Sequence, residues 1–396
     1  MIYVFYFFAA VLIFFSIRSL KGGVDYLRFF RAELGRAAPD DRRRVTVFAP
    51  HRGAEDGLGS NFSALLGQDH VNYEVIFVTD PDSGDSDLVA RSAAAGARVP
   101  VKFITAPKAE HSSQKIENLR EAVIHADADS EVFVFVDSDV RPASDWLRYL
   151  AAPTSEPGIG AATGYRWFLS DRPSPGTELR SAWNASIASA LGPDTGANFC
   201  WGGSMAISRE IFDRLDILGA WKGALSDDFV VTREMNAAGL PIVFVPQAMS
   251  ASLGPCTVGE MLEFTTRQMK ITRVYAPQLW LLSFFGSALF CGVMAAAIVL
   301  MAASSGVAFI VSLITLISVG ACSVGKSTLR LAAIRSAMPQ FDRELRRQVV
   351  IQAVLFAATP PIYLYNCLAA LFSHKVQWRG IKYLLKSARE TVIIRD

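Results

Sequence analysis

At 396 residues, with 51% apolar side chains and a mean hydropathy of +0.28, the chain is too apolar for an ordinary soluble enzyme and long enough for two or three structural units. A net charge of +2, with no basic stripe interleaved with aromatics, argues against a nucleic-acid binder. The five cysteines are scattered without a CxxC pair, so neither a zinc site nor a disulfide framework is expected.

The apolar excess begins at the N-terminus. Ile2 to Ile17 is apolar apart from Ser16, and Arg18, Lys21, Arg28 and Arg31 follow, the pattern of a spanning anchor over residues 1–20 with its next loop in the cytoplasm. A cleaved signal peptide would need positive charge before the run and a small-residue cleavage site after it, and neither occurs. Residues 42–253 then alternate short β-rich runs with helix-length amphipathic stretches. Strands are expected at Val45–Ala49, Glu74–Val78, Val101–Thr105, Val132–Val136 and Pro241–Val245, and a helix at Gln114–Ala126. This rhythm predicts an α/β domain with a mostly parallel sheet, whose ligand site lies beyond the strand C-termini.

Carboxylates fall where such a site should be. Asp80 follows one strand, and Asp137-Ser138-Asp139 comes directly off the run Val132–Val136. Taken singly, each aspartate reads as a turn residue. Two carboxylates spaced i, i+2 at a sheet mouth also suit a divalent ion, since Mg²⁺ or Mn²⁺ is commonly held by one or two carboxylates plus phosphate oxygens. Further along, Trp201-Gly202-Gly203 offers close backbone approach and a stacking ring, and Asp227-Asp228 follows. In an amphipathic helix expected within 254–280, Arg267, Lys270 and Arg273 share a face, suited to a diphosphate leaving group or to phospholipid.

Membrane character returns over 281–373. Leu281 to Val324 carries no charge and is divided by Ser304-Ser305-Gly306 into two segments of about 20 residues, enough to cross a bilayer twice. From Lys326 to Arg347 there are six Lys/Arg against two acids, which favours the cytoplasmic side. Val349 to Phe372 is a further apolar run interrupted by Pro360-Pro361, either a single span or a kinked, re-entrant segment. The basic tail, 374–396, with Trp378-Arg379-Gly380 and Tyr383, is expected to anchor an interfacial helix, with a contact to the active site as the second reading. Gly320 to Ser327 matches the phosphate-loop pattern GxxxxGK(S/T), but the apolar stretch before it is far longer than a strand, so the match is set aside and Lys326 is read as the charge closing a spanning helix.

The ordered set Asp80, Asp137-Ser138-Asp139, Ser226-Asp227-Asp228-Phe229 and Arg267-x-x-Lys270 resembles the membrane-bound, processive-type glycosyltransferases of the GT-A fold, and within them ceramide glucosyltransferases. Asn72-Tyr73-Glu74-Val75, Lys115-Ile116-Glu117-Asn118-Leu119 and the placement of the apolar segments are the closest local matches. The resemblance implies a Rossmann-like mixed sheet flanked by N- and C-terminal transmembrane helices, in a bacterial inner membrane with the catalytic domain in the cytoplasm. It implies inverting transfer of one sugar from a UDP-sugar to a membrane lipid, ceramide first, with a hopanoid, diacylglycerol or processive polysaccharide synthesis as alternatives. By the same resemblance Asp80 meets the uracil, Asp137 the nucleotide, Asp139 the Mg²⁺ or Mn²⁺, and Asp228 is the catalytic base. Lys115, Asn118, Trp201, Gly202, Gly203, Arg267 and Lys270 then fall to substrate binding. Ile271 stands where the family has a tryptophan.

Overall fold

The computed structural model describes residues 2–53 and 56–395. The chain divides into a sheet unit, Glu33–Leu169 with Ala190–Gly254 and His374–Asp396, and a helical unit, Met1–Ala32 with Ser170–Ser189 and Pro255–Ser373.

In the sheet unit the strands are β1 (Val45–Pro50), β2 (Tyr73–Thr79), β3 (Val101–Thr105), β4 (Val132–Phe135), β5 (Val140–Arg141), β6 (Ala161–Leu169), β7 (Met205–Ser208) and β8 (Ile242–Leu253). They form one sheet in the order β3-β2-β1-β4-β7-β6-β8-β5. The first four in that order run parallel, whereas β7 is antiparallel to both β4 and β6, and β6 is parallel to β8. The sheet is therefore mixed, with a parallel half. Its interior is mainly hydrocarbon: every residue of β1, β2 and β4 is buried, as expected for strands covered on both faces, and the buried Glu74 is paired with Thr46 and Lys102. Phe48, Phe133, Phe135, Phe212 and Trp221 stack in one aromatic group behind the site.

The five strands expected from the β-rich runs are all present, within a few residues at most ends. Strands β5, β6 and β7 were not expected, and β5 is only two residues long. β7 is only four residues long, and Gly164 interrupts β6, where the register with β8 slips between Thr163 and Tyr165. A side chain at Gly164 would strike the Ala248 carbonyl and the Ser204 hydroxyl, so glycine is required there by close backbone approach.

The tail also departs from expectation. It forms no helix but three antiparallel strands, β9 (Lys375–Trp378), β10 (Ile381–Ser387) and β11 (Glu390–Ile394), belonging to the sheet unit. Val376, Tyr383 and Leu385 are buried on one face, and Lys382 and Lys386 point the other way, the alternation of a half-covered sheet.

Among the described residues three helices are long and apolar enough to cross a membrane: Ile2–Leu34, Pro277–Ala303 and Val307–Ala337. Phe5, Ala9 and Leu12, spaced along one stripe, pack with Val293, Ala297 and Val319. The phosphate-loop pattern lies wholly inside the helix Val307–Ala337, where its backbone amides are spent on helical bonds, so it forms no phosphate loop. Around Pro360-Pro361 the chain makes two helices bent by 73°, and the prolines start the second helix, Thr359–Phe372, at positions where a missing N–H costs nothing.

Gly164→Ala is expected to destabilise the sheet unit by about 1–3 kcal/mol, as overpacking does. A melting temperature unchanged from the parent would contradict the close approach at the β6–β8 slip.

Candidate active site

The four parallel strands end along one edge. Asp80 follows Thr79 of β2, and Asp137 stands two residues beyond Phe135 of β4. Because β7 runs against β4 with Met205 opposite Phe135, the segment Trp201–Ser204 enters the sheet at that same edge. The helix Asp227–Ala237 starts nearby, with both acids in its first turn, where the helix dipole favours negative charge.

Lys115 ties these pieces together. It sits in the first turn of the helix Gln114–Ile124, capped by the Ser113 side chain, which accepts the Ile116 amide. Its Nζ lies 2.7 Å from Asp137 Oδ1 and 3.0 Å from Asp227 Oδ1, with the side chain only 13% exposed. A side chain at Gly202 would run into Asp227 Oδ2 and come within 2.9 Å of Lys115 Nζ, so only glycine leaves this ion group room. Burial disfavours the ammonium, but Asp137, Asp227 and Asp228 outweigh it and hold Lys115 above the usual lysine range. Burial likewise opposes ionisation of Asp137, and Lys115, Arg166 and Arg379 hold that carboxyl below its ordinary value. Asp227 goes the other way. Burial pushes it up to about 6, against the pull of Lys115 and with repulsion from Asp228 and Asp137.

Asp228 accepts hydrogen bonds from the Gly202 amide at Oδ2 (3.2 Å) and, at Oδ1, from the Phe229 amide (2.8 Å) and the Ser226 hydroxyl. Asp80 is 1% exposed, paired with Arg52 at 2.6 Å through Oδ1, while its Oδ2 is buried without a hydrogen-bond partner. Asp139 meets Arg166 Nη1 at 3.3 Å, and the Arg166 guanidinium also lies 5.2 Å from the Trp201 ring centroid. Acids from three separate stretches of sequence thus gather in one unit, interleaved with three cations.

The profile of glycosyl transferase family 21 matches residues 5–391. The chain belongs to that family. It is a glycosyltransferase, and the mixed sheet is that of the GT-A fold. None of the curated proteins matches it. Among solved structures it is similar to a mannosyltransferase from Pyrobaculum calidifontis in complex with GDP-Man and Mn²⁺, at 16% identity and a TM-score of 0.47, covering 92% of this chain and 98% of that one. It is also similar to glucosyl-3-phosphoglycerate synthase from Mycobacterium tuberculosis with Mn²⁺, UDP and phosphoglyceric acid, at 16% identity and a TM-score of 0.37, covering 58% of this chain and 78% of that one.

In this family 21 glycosyltransferase, Asp80, Asp137, Asp139, Lys115, Trp201, Gly202, Gly203 and Asp228 all lie at the sheet edge or on the segments that meet there. Asn118 is one helical turn deeper, buried, where it accepts a hydrogen bond from Gln114 at 3.0 Å. That glutamine in turn donates to the Pro107 carbonyl and accepts the Ala109 amide, so Asn118 braces a loop beside the site. Arg267 and Lys270 stand on the helix Val258–Tyr275 of the helical unit, where Lys270 Nζ is 3.4 Å from the Ser373 hydroxyl and Arg267 lies over the Phe264 ring.

The donor set suits a hard divalent ion. Asp139, with its side chain 30% exposed, offers a reachable carboxylate. Among the described residues no group of three His, Cys, Asp or Glu side chains is placed to hold a metal ion by itself. Sequence reasoning passed over Arg166, Arg52 and the part played by Asp227. The resemblance directed attention to Asp228, one position on, and Arg166 lies in the strand that Gly164 disguises.

Asp227 remains protonated to about pH 6 in the folded chain, against 3.8 for a free side chain. The native state therefore binds more protons across that interval, and stability falls as pH rises through it. Asp227→Asn is expected to remove this contribution, and thermal melting of wild type and variant between pH 4 and 6 measures the difference in slope.

Proposed function

We propose that this enzyme transfers a single sugar, with inversion, from a UDP-sugar to a lipid hydroxyl, ceramide being the first acceptor to test. The observation that carries the reading is the convergence of Asp137, Asp139, Asp227 and Asp228 on Lys115 and the Trp201–Gly203 segment. This arrangement suits a diphosphate donor on one side and proton removal on the other.

Asp80 supports binding of the base. Its buried, unpartnered Oδ2 can accept an N–H such as that of uracil, with Arg52 fixing the other oxygen. Asp139, with Asp137 beside it, would hold Mg²⁺ or Mn²⁺, which supplies charge neutralisation of the diphosphate. Lys115 keeps Asp137 ionised and in place. Asp228 is the general base: its Oδ2 takes the proton of the acceptor hydroxyl while that oxygen bonds to the anomeric carbon and the bond to the diphosphate breaks. The Ser226 and Phe229 donors on Oδ1 orient the carboxylate for this role.

The lipid acceptor is supported by the chain's own apolar helices, since an enzyme tethered to a bilayer meets lipid hydroxyls at headgroup level. The Arg and Lys residues after the first apolar run and between Lys326 and Arg347 support a cytoplasmic catalytic unit.

Purified protein in detergent should release UDP from a UDP-sugar in the presence of Mg²⁺ or Mn²⁺ and a lipid acceptor, with ceramide, hopanoid and diacylglycerol compared side by side. Asp228→Asn should lower turnover by about 10²- to 10⁴-fold with little loss of donor affinity, as expected for removal of a general base. Asp139→Ala should weaken metal-dependent donor binding as well. Wild-type turnover in both variants would overturn the assignment of roles.

A further inference from the structure

Three segments of the sheet unit meet at the start of the Lys115 helix. Ser113 and Gln114 open that helix, Gln114–Ile124, and both are buried, so the amides of its first turn must find acceptors within the protein. The Ile116 amide goes to the Ser113 hydroxyl. The Ser113 amide donates to the Ala224 carbonyl at 3.0 Å, in the loop that delivers Asp227 and Asp228. The Gln114 amide goes to the Tyr383 hydroxyl at 3.2 Å, 269 residues further along the chain.

Tyr383 lies on β10 of the C-terminal sheet and is 2% exposed, so this hydrogen bond is withdrawn from water. The Gln114 side chain is spent elsewhere, donating to the Pro107 carbonyl and to Asn118 and accepting the Ala109 amide. The same small sheet also meets the acid-bearing loop. The Arg389 carbonyl, at the β10–β11 turn, packs against Gly223 so closely that any side chain there would collide with it, and Gly223 has φ +78°. The C-terminal sheet therefore touches both arms of the site, at the residue before Lys115 and at the residue before Ala224.

We propose that Tyr383 is a positioning residue of this transferase, whose hydroxyl holds the first turn of the Lys115 helix so that one ammonium meets Asp137 and Asp227 at once. Lys115 follows Gln114 directly, and its contacts of 2.7 Å and 3.0 Å to acids from two other segments leave little room for movement of that turn. Without the hydroxyl a buried N–H loses its acceptor, and relief comes from shifting the turn. Asp137 then loses part of the charge that balances it, and the diphosphate donor meets a carboxylate less well neutralised. Tyr383 acts through Lys115 and not by touching substrate. This inference rests on the nucleotide-sugar reading above.

The test is equilibrium binding of UDP, with GDP in parallel, to the full-length protein in detergent with Mg²⁺, carried into the millimolar range and accompanied by thermal melting. Tyr383→Phe keeps the ring and removes only the hydroxyl. At a temperature where melting shows the variant folded, it should weaken UDP binding by roughly 5- to 20-fold. In a Lys115→Met background the same substitution should weaken binding by less than about twofold, because the group through which it acts is gone. Wild-type UDP affinity in folded Tyr383→Phe, whatever its melting temperature, overturns the proposal and leaves the nucleotide-sugar reading standing. Full weakening in the Lys115→Met background overturns it as well, since the hydroxyl then acts by another route. A wild-type protein that binds neither UDP nor GDP defeats the nucleotide-sugar reading, and the role of Tyr383 falls with it.

Discussion

Five carboxylates cannot share the mouth of a sheet unless cations are placed among them, and Lys115 is the cation on which this site turns. Its ammonium bridges Asp137, from the end of β4, and Asp227, from the start of a helix ninety residues further along the chain. In a low-dielectric setting each carboxylate would otherwise resist ionisation, and each would repel the other. One lysine settles both problems and fixes the distance between two distant pieces of chain. Gly202 follows from the same constraint, since the ion group occupies the space a side chain would need.

The charges around this centre are not equivalent. Lys115, Arg166 and Arg379 hold Asp137 below its ordinary range, whereas burial pushes Asp227 up to about 6, so the Lys115 bridge is asymmetric. Lys115 Nζ is also nearer Asp137, at 2.7 Å against 3.0 Å to Asp227. Arg166 reinforces this polarity, joining Asp139 by charge and Trp201 through its ring.

Much of this was legible in the sequence because the parallel half of the sheet is made of short β-rich, mostly apolar runs, two of which run directly into an aspartate. Val132 to Val136 followed by Asp137-Ser138-Asp139 needs no structure to be read as a strand ending in a site. The pattern fails where one face is shared with backbone rather than hydrocarbon. Gly164 breaks the β6 signal because Ala248 and Ser204 press against it. The short tail strands, alternating buried and exposed, resemble an amphipathic basic helix until their turns are known. Trp378, Arg379 and Tyr383 thus lie on two strands and their turn, where an interfacial helix was expected. Pairings such as Lys115 with Asp227 depend on sequence separation that no local pattern encodes.

The sheet unit is discontinuous: the chain leaves it at Gly254 and re-enters it at His374. This return imposes a parity rule. Two points of one folded unit lie in the same compartment, so the intervening chain must cross a bilayer an even number of times. Pro277–Ala303 and Val307–Ala337 supply a pair of crossings, and a third would strand the tail on the far side. On that rule the two helices bent by 73° before the tail do not add a further single crossing. The same order of segments makes the sheet unit a late product of synthesis, because His374–Asp396 is made only after the apolar helices that precede it in the chain.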